Sequence, residues 1–443
     1  MRIAVVGSGI SGLATAWLLA ERHAVTLFEA AARPGGHTHT VEVTLDGVSH
    51  GVDTGFLVFN HKTYPNLVAL FRQLGVPTAA SEMSFSLSLE APHIEWSGDN
   101  LDTLFAQRRN LLRPAFLRML RDVLRFNREA AQDAQAPQAA DATQSLGAVL
   151  ARRGYSAEFR DWYLLPMAAA IWSCPTRSML EYPFASFARF FRNHGLLELT
   201  DRPQWLTVAG GARQYVDRLL ARLRDVRLAT RVLRARRDAS GVTLDFVHNA
   251  PGLPRGSERF DALVLGCHSD QALQILGVQA SGAERALLEA IPYQPNRAVL
   301  HTDAALLPRN RRLWSAWNYS AGADGPDGRA VGVHYLINKL QPLPFSAPVV
   351  VSLNPHREPA PEAVIAEFDY AHPVFDARSA DAQAALAGLQ GVNRTWFCGA
   401  WTRYGFHEDG LRSALTVANA LGVRAPWQAA AQTPPADRQL EAA

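Results

Sequence analysis

The chain has 443 residues, more than one hydrophobic core accommodates, so two domains are expected. Hydrophobic residues make up 48% and charged residues 19%, a globular profile, and a net charge of +3 gives no general case for nucleic-acid binding. No apolar run is long enough to span a bilayer, and Cys174, Cys267 and Cys398 form neither a dithiol nor a metal-ligand spacing.

The first predicted strand, 2–6, runs into Gly7-Ser8-Gly9-Ile10-Ser11-Gly12 and a helix over 13–21. A second strand, 24–28, ends on Glu29, and Arg33-Pro34-Gly35-Gly36 follows. Parts in this order bind a dinucleotide. Gly7 permits the tight turn, Gly9 lets a diphosphate approach the backbone, and Gly12 lets the helix pack on the strand. The helix start at Ile10 and Ser11 aims free N–H groups and a positive dipole end at the phosphates. Glu29 is placed to bind two ribose hydroxyls and repels a 2′-phosphate, which disfavours NADP. Simple NAD folds need no second glycine pair. Arg33, Gly35 and Gly36 suit the longer path of FAD, as does the turn Asp53-Thr54-Gly55-Phe56 after the strand-like stretch 41–52. FAD is therefore the expected cofactor. The first strand starts at Arg2, which leaves no room for a signal peptide. A cytoplasmic protein, with membrane-surface contact as an option, is expected.

Further along, 64–74 reads as a helix, 84–89 as a strand and 108–129 as mostly helix, with Pro114 near its start. Phe116, Leu117, Leu120, Val123 and Leu124 follow helical spacing, and Arg118, Arg121, Arg125 and Arg128 take the other face. Such a helix either packs on the substrate domain with a solvated face or lies on an anionic membrane beside the entrance for an acyl chain. Residues 130–143 read as an exposed helix end or loop, and 159–193 are crowded with aromatics. Phe184, Phe187, Phe190 and Phe191 either line a channel or fill a core. Strands are expected at 227–232, 242–247 and 262–265 after a helix at 212–223, with a Pro/Gly turn region at 250–259. Strands at 298–301, 331–338 and 349–352 suggest a second sheet. A last strand at 396–398 meets Gly399, a loop and a helix at 411–421; the tail beyond Trp427 reads as disordered. The expected nucleotide domain is discontinuous (1–75, 200–268, 390–425), the substrate domain takes 76–199 and 269–389, and 426–443 form the tail.

The arrangement resembles the flavin-containing amine oxidase and phytoene desaturase-like superfamily over nearly the whole chain. More narrowly, it is similar to a bacterial group of NAD/FAD-binding oxidoreductases. The residues that carry this are Ala170-Ile171-Trp172-Ser173, Asn193-His194-Gly195-Leu196-Leu197, Thr207-Val208-Ala209-Gly210-Gly211, Asn338-Lys339-Leu340-Gln341 and Gly405-Phe406-His407-Glu408-Asp409-Gly410. The resemblance implies an α/β fold: a Rossmann-like, glutathione reductase-like FAD-binding domain with an inserted α+β substrate domain. The bacterial group is often associated with cyclopropane fatty acid synthase-like methyltransferases, which implies lipid acyl chains as substrates. By the same resemblance, Val232 contacts adenine through its backbone. Gly410 and Leu411 start a helix aimed at the flavin pyrimidine, where its dipole stabilises negative charge. Many relatives carry a ribityl-binding acid just after the glycine that matches Gly399. Here Ala400-Trp401 follows, so that contact is lost or taken over by Glu408 or Asp409.

The catalytic candidates are His407, Trp172, His194 and Tyr335. His407 is either the polar group near the ring or a helix cap or phosphate ligand. Trp172 is cage or core, and His194 is site or turn. His334 and Tyr335 alternate along a strand, so at most one faces a cavity. Amine-oxidising relatives often place a lysine by the flavin; Lys62 and Lys339 are the only lysines, and only Lys339 is a candidate. Cys398 is expected to end a buried strand, not to carry a covalent flavin. There is no second GxGxxG and no metal is expected. The expected function is FAD-dependent removal of hydrogen from an apolar substrate, such as a lipid acyl chain, with oxygen, a quinone or another carrier taking the electrons. Flavin amine oxidation is the alternative, followed by a non-redox flavoprotein acting as an isomerase or as a partner of a lipid-modifying enzyme.

Overall fold

The computed structural model describes residues 1–135, 144–172, 176–198, 203–249, 255–325 and 328–430. Ser173, Cys174, residues 136–143 and 250–254, and the tail beyond 430 lie outside them. Five parallel strands run in the order Asp225–Arg227, Ala24–Phe28, Arg2–Val6, Ala262–Leu265, Thr395–Phe397, so three distant stretches of chain meet in one sheet. Both faces are covered, which is why the three central strands are nearly continuous apolar runs, while the edge strand Asp225–Arg227 is not. Ile3 and Val5 pack under helices α1 (Ile10–Leu19), α2 (Pro65–Leu74) and Arg213–Leu220. Ala4 and Val6 point the other way, toward a three-stranded antiparallel sheet, Thr230–Asp238, Gly241–His248 and Arg255–Phe260.

A seven-stranded sheet forms the second layer, in the order Val364–Pro373, Tyr293–His301, Val350–Leu353, Gly328–Leu336, Trp317–Gly325, Phe85–Leu89, Ile94–Ser97. Helix α3 (Pro114–Asp133) packs against it through Phe116 and Met119. Helix α4 (His407–Ala420) returns to the nucleotide sheet and lies against α1. This is a Rossmann-like fold joined to a second domain built on a mostly antiparallel sheet.

Several elements differ from expectation. The 41–52 stretch is a hairpin, Thr40–Leu45 with Val48–Asp53, turning at Asp46-Gly47, both at positive φ; an Asp-Gly pair favours this turn. Arg255–Phe260 of the expected turn region is a strand, because it finds Gly241–His248 as a partner. Arg108–Leu112 form a separate 3-10 turn before α3, since Pro114 has no N–H to continue it. The inward face of α3 is Phe116, Met119, Val123 and Phe126, whereas Leu117 and Leu124 are exposed. Helix α4 begins at His407 and not at 411, because the Asp409 carboxylate accepts from Phe406 N and closes an extra first turn. Among the described residues no helix is long and apolar enough to cross a membrane.

Candidate functional site

The nucleotide end of the site is a stack of turns with no room for side chains. Gly7, at φ +99°, donates to Phe28 O at 2.8 Å. A Cβ at Gly12 would lie 2.0 Å from Gly7 O, so strand and helix close on each other only with glycine there. A Cβ at Gly9, by contrast, meets nothing within 4 Å. Gly9 caps α1 without a side chain, which leaves the N–H groups of Ile10, Ser11 and Gly12 without partners inside the helix. The second glycine turn rests on the first: Gly35 N donates to Ser8 O, and a Cβ at Gly36 would fall 3.1 Å from Gly9 Cα. Arg33 holds this turn shut by donating to Gly36 O at 2.8 Å. A Cβ at Gly55 would lie 2.1 Å from His37 O, so the third turn packs on the same loop.

Glu29 directly follows the strand Ala24–Phe28 and faces this cradle, where its carboxylate accepts from Ser8 N at 2.9 Å and Ala31 N at 2.8 Å. Thr230 N donates to Glu29 O, which brings the strand carrying Val232 alongside the acid. Helix α4 crosses α1 so closely that a Cβ at Gly410 would be 2.7 Å from Ser11 Oγ. The two helix N-termini, at Gly9–Ser11 and at His407–Gly410, therefore converge. Uncapped donors, an open cradle at Gly9 and an adjacent carboxylate fit a ribose-linked diphosphate, and the second N-terminus fits the polar edge of a flavin. The residues that would hold FAD are those of the three glycine turns, Glu29, the Val232 backbone and the backbone of the first turn of α4.

Beyond the cradle lies a cavity of about 580 Å³, within the usual range for small-molecule sites. His37, Gly55, Phe56, Gly405, Phe406 and His407 line its inner end, and Tyr335, Trp317 and Phe190 its walls. His407 stacks on Phe56 with ring centres 3.8 Å apart, and its Nε2 is within hydrogen-bonding distance of Thr38 Oγ1 (3.0 Å) and Tyr215 OH (3.2 Å). Burial lowers its pKa to about 3, so the ring is neutral. It is thus a cavity wall pinned by two hydroxyls. Burial, followed by His268, His407 and Arg33, lowers His37 likewise to about 3.

The other candidates separate. His194 lines the cavity with Nδ1 on Phe190 O, and burial takes its pKa to about 4. Tyr335 lines it too, with its OH donating to Ala170 O, while His334 faces the opposite side between Ser320 and Ser352. Trp172 does not reach the cavity: it is buried among the rings of Tyr182, Phe187, Phe190, Phe191 and Phe406, which leave it no open face. Of the four phenylalanines in that region only Phe190 reaches the wall. Lys339 pairs with Glu82 at 2.8 Å and does not line the cavity. Cys398 is buried beside Thr15, its thiol pushed up to about 12 by desolvation.

Glu408 is engaged within the protein. Its carboxylate accepts from Asn66 N, Asn66 Nδ2 and Leu67 N, and pairs with Arg412. It neutralises the N-terminus of α2, a nearer and stronger demand than a cofactor hydroxyl. Asp409 is spent on Phe406 N, and burial raises its pKa to about 6. At Gly399 a Cβ would lie 2.2 Å from Trp401 Nε1, so the Trp401 ring packs directly over this glycine. Gly410 and Leu411 are the fourth and fifth residues of α4, not its start.

Sequence reading missed His37, Thr38, Tyr215, Tyr370 and His372. Two signals were available. His37-Thr38 directly follows the second glycine pair, and Tyr370 and His372 alternate on one strand, which puts both on one face. Both lie within 5.2 Å of His37, ring centre to ring centre. Among the described residues no group of three His, Cys, Asp or Glu side chains is arranged to hold a metal.

The fold is similar to a CLA-producing fatty acid isomerase from P. acnes (TM-score 0.66, 15% identity, 95% of this chain and 99% of that one). It is also similar to cyclohexylamine oxidase from Brevibacterium oxydans (0.63, 19%, 95% and 99%) and to a putrescine oxidase bound to putrescine (0.62, 17%, 95% and 99%). No curated protein matches the sequence. The model of the family described as flavin containing amine oxidoreductase matches residues 10–306. That span begins just after Gly9 and takes in Gly12, the Gly35-Gly36 turn and most of the cavity wall, and the chain belongs to this family, as an FAD-dependent oxidoreductase.

Proposed function

We propose that the protein withdraws hydrogen from an apolar substrate, with a lipid acyl chain as the favoured class. The observation that carries this reading is the distribution of charge around the cavity. Its carboxylates, Glu82 and Asp99, stand exposed at the rim, no lysine lines it, and the interior is faced by Phe56, Tyr64, Trp96, Phe190 and Tyr335. Burying an unpaired ammonium among such rings costs several kcal/mol. An acyl chain gains about 0.8 kcal/mol for each methylene it buries there.

Bound FAD supplies a ring able to accept the hydride equivalent. This chain's residues bind the substrate, orient it and exclude water. The rings of Phe56 and Phe406 close the inner end, and His407, kept neutral by burial and fixed by Thr38 and Tyr215, offers a dipole and not a charge. The likeness in fold to a fatty acid isomerase supports an acyl chain in such a site. The likeness to amine oxidases supports a second reading, in which a neutral amine stacks on Trp317 and Tyr335.

Anaerobic mixing of the holoenzyme with phospholipids bearing unsaturated, methylated or cyclopropanated chains tests this. Bleaching of the flavin band by lipid is expected. Reduction by cyclohexylamine or putrescine alone overturns the reading in favour of amine oxidation. Lipid turnover without bleaching overturns it in favour of isomerisation, and indifference to every lipid overturns it outright.

A further inference from the structure

We infer that the surface formed by residues 101–128 docks on an anionic phospholipid membrane at the mouth of the cavity. Five of the eleven exposed large apolar side chains among the described residues fall in this stretch: Leu101, Leu111, Leu112, Leu117 and Leu124. Leu112 is 88% exposed and Leu101 75%. Between residues 101 and 130 there are seven arginines against three carboxylates, and no lysine.

Helix α3 organises these residues. Phe116, Met119, Val123 and Phe126 turn inward. On the exposed side Leu117, Arg121, Leu124 and Arg128 follow at spacings of four, three and four, so leucine and arginine alternate along one stripe. A helix facing only water has no use for leucines there. A helix lying in the headgroup region uses both residue types: leucine reaches the acyl boundary, and arginine meets the lipid phosphates. Arg118 and Arg125 serve the fold, through Glu158 and through Glu129 with Arg153 O. Arg121 touches Asp122 at 3.3 Å but keeps 71% of its side chain exposed, and Arg128 is exposed about two turns on.

The stripe adjoins the cavity. Gly98 and Asp99 line it and are exposed, and two residues later Leu101 begins the short helix Leu101–Leu104. Arg113 covers Trp162 at 5.3 Å, next in sequence to Tyr163 of the cavity wall. Positive charge and continuity with the mouth select an anionic lipid surface. Docking is a matter of binding, measured without turnover, so it stands or falls separately from the oxidation reading.

Sedimentation of the holoenzyme with phosphatidylcholine vesicles, with and without phosphatidylglycerol, provides the test. Binding is expected only with phosphatidylglycerol, and it weakens as salt screens it. Arg121→Gln and Arg128→Gln should each lower vesicle affinity about fivefold. The combination Leu112→Ser, Leu117→Ser and Leu124→Ser should lower it at least about tenfold. All keep the parent's flavin content and melting temperature, since these side chains are exposed. A parent that ignores phosphatidylglycerol, or variants that bind as well as the parent, overturns the inference. So does a dimer that the leucine substitutions dissociate while vesicles go unbound.

Discussion

Two glycines three residues apart should respond to the same substitution in opposite ways. At Gly12 a methyl carbon would sit 2.0 Å from Gly7 O, where nonbonded carbon contacts settle near 3.5 Å. Neither side can retreat. Gly7 is tied to Phe28 O, and α1 is backed by α4, with Ser11 Oγ 2.7 Å from where a Cβ on Gly410 would stand. Gly12→Ala should therefore cost about 1–3 kcal/mol of stability, as overpacking does, and lower the melting temperature by several degrees even without cofactor. At Gly9 a methyl meets nothing within 4 Å, and φ is −62°, so Gly9→Ala leaves the apoprotein's stability within about 0.5 kcal/mol. The methyl does occupy the open cradle. Losing one charge-assisted hydrogen bond to a phosphate there costs about 1.5–3 kcal/mol, or roughly 10- to 100-fold in FAD affinity. The assays are thermal melting of apoprotein and the flavin-to-protein absorbance ratio during titration with FAD. Full FAD affinity in Gly9→Ala would refute the cradle, and parental melting in Gly12→Ala would refute the packing argument.

Glu408→Ala removes the acceptor for two backbone N–H groups at the start of α2 and should cost about 2–4 kcal/mol, with flavin content unchanged in the folded protein; lost flavin at constant melting temperature would return Glu408 to the cofactor. Burial depresses nine histidines, with His37, His334, His372 and His407 at about 3, below their unfolded value of 6.5. Each contributes stability that is complete above pH 6.5 and is lost as pH falls through the window toward 3, because only the unfolded chain takes up the proton there. Asp53 and Asp409, raised to about 7 and 6, act in the opposite direction but are outnumbered, so melting temperature should fall from pH 6.5 to 4, less steeply in His334→Asn. A flat profile would contradict the burial of these rings. Trp172→Ala should destabilise by about 3–5 kcal/mol and leave the flavin-reduction rate of the surviving holoenzyme unchanged; a specific loss of rate would place Trp172 in the chemistry.

What the sequence settled by itself is what backbone geometry settles locally. Gly7, Gly9, Gly12, Gly35 and Gly36 mark turns whose shape depends on a few consecutive residues, so the cofactor class was legible without a fold. The covered parallel sheet was legible too, from short runs such as Ile3 to Val6. Tertiary structure alone decided which side chains share the cavity. Thr38, Tyr215 and His407 meet across 369 positions of chain, and Glu408 reaches Asn66 across 342. It also decided which face of α3 was buried, since helical spacing gives the period of a stripe and only the neighbouring sheet fixes its direction. Side-chain contacts between distant segments depend on how whole layers stack, and no local pattern carries that information.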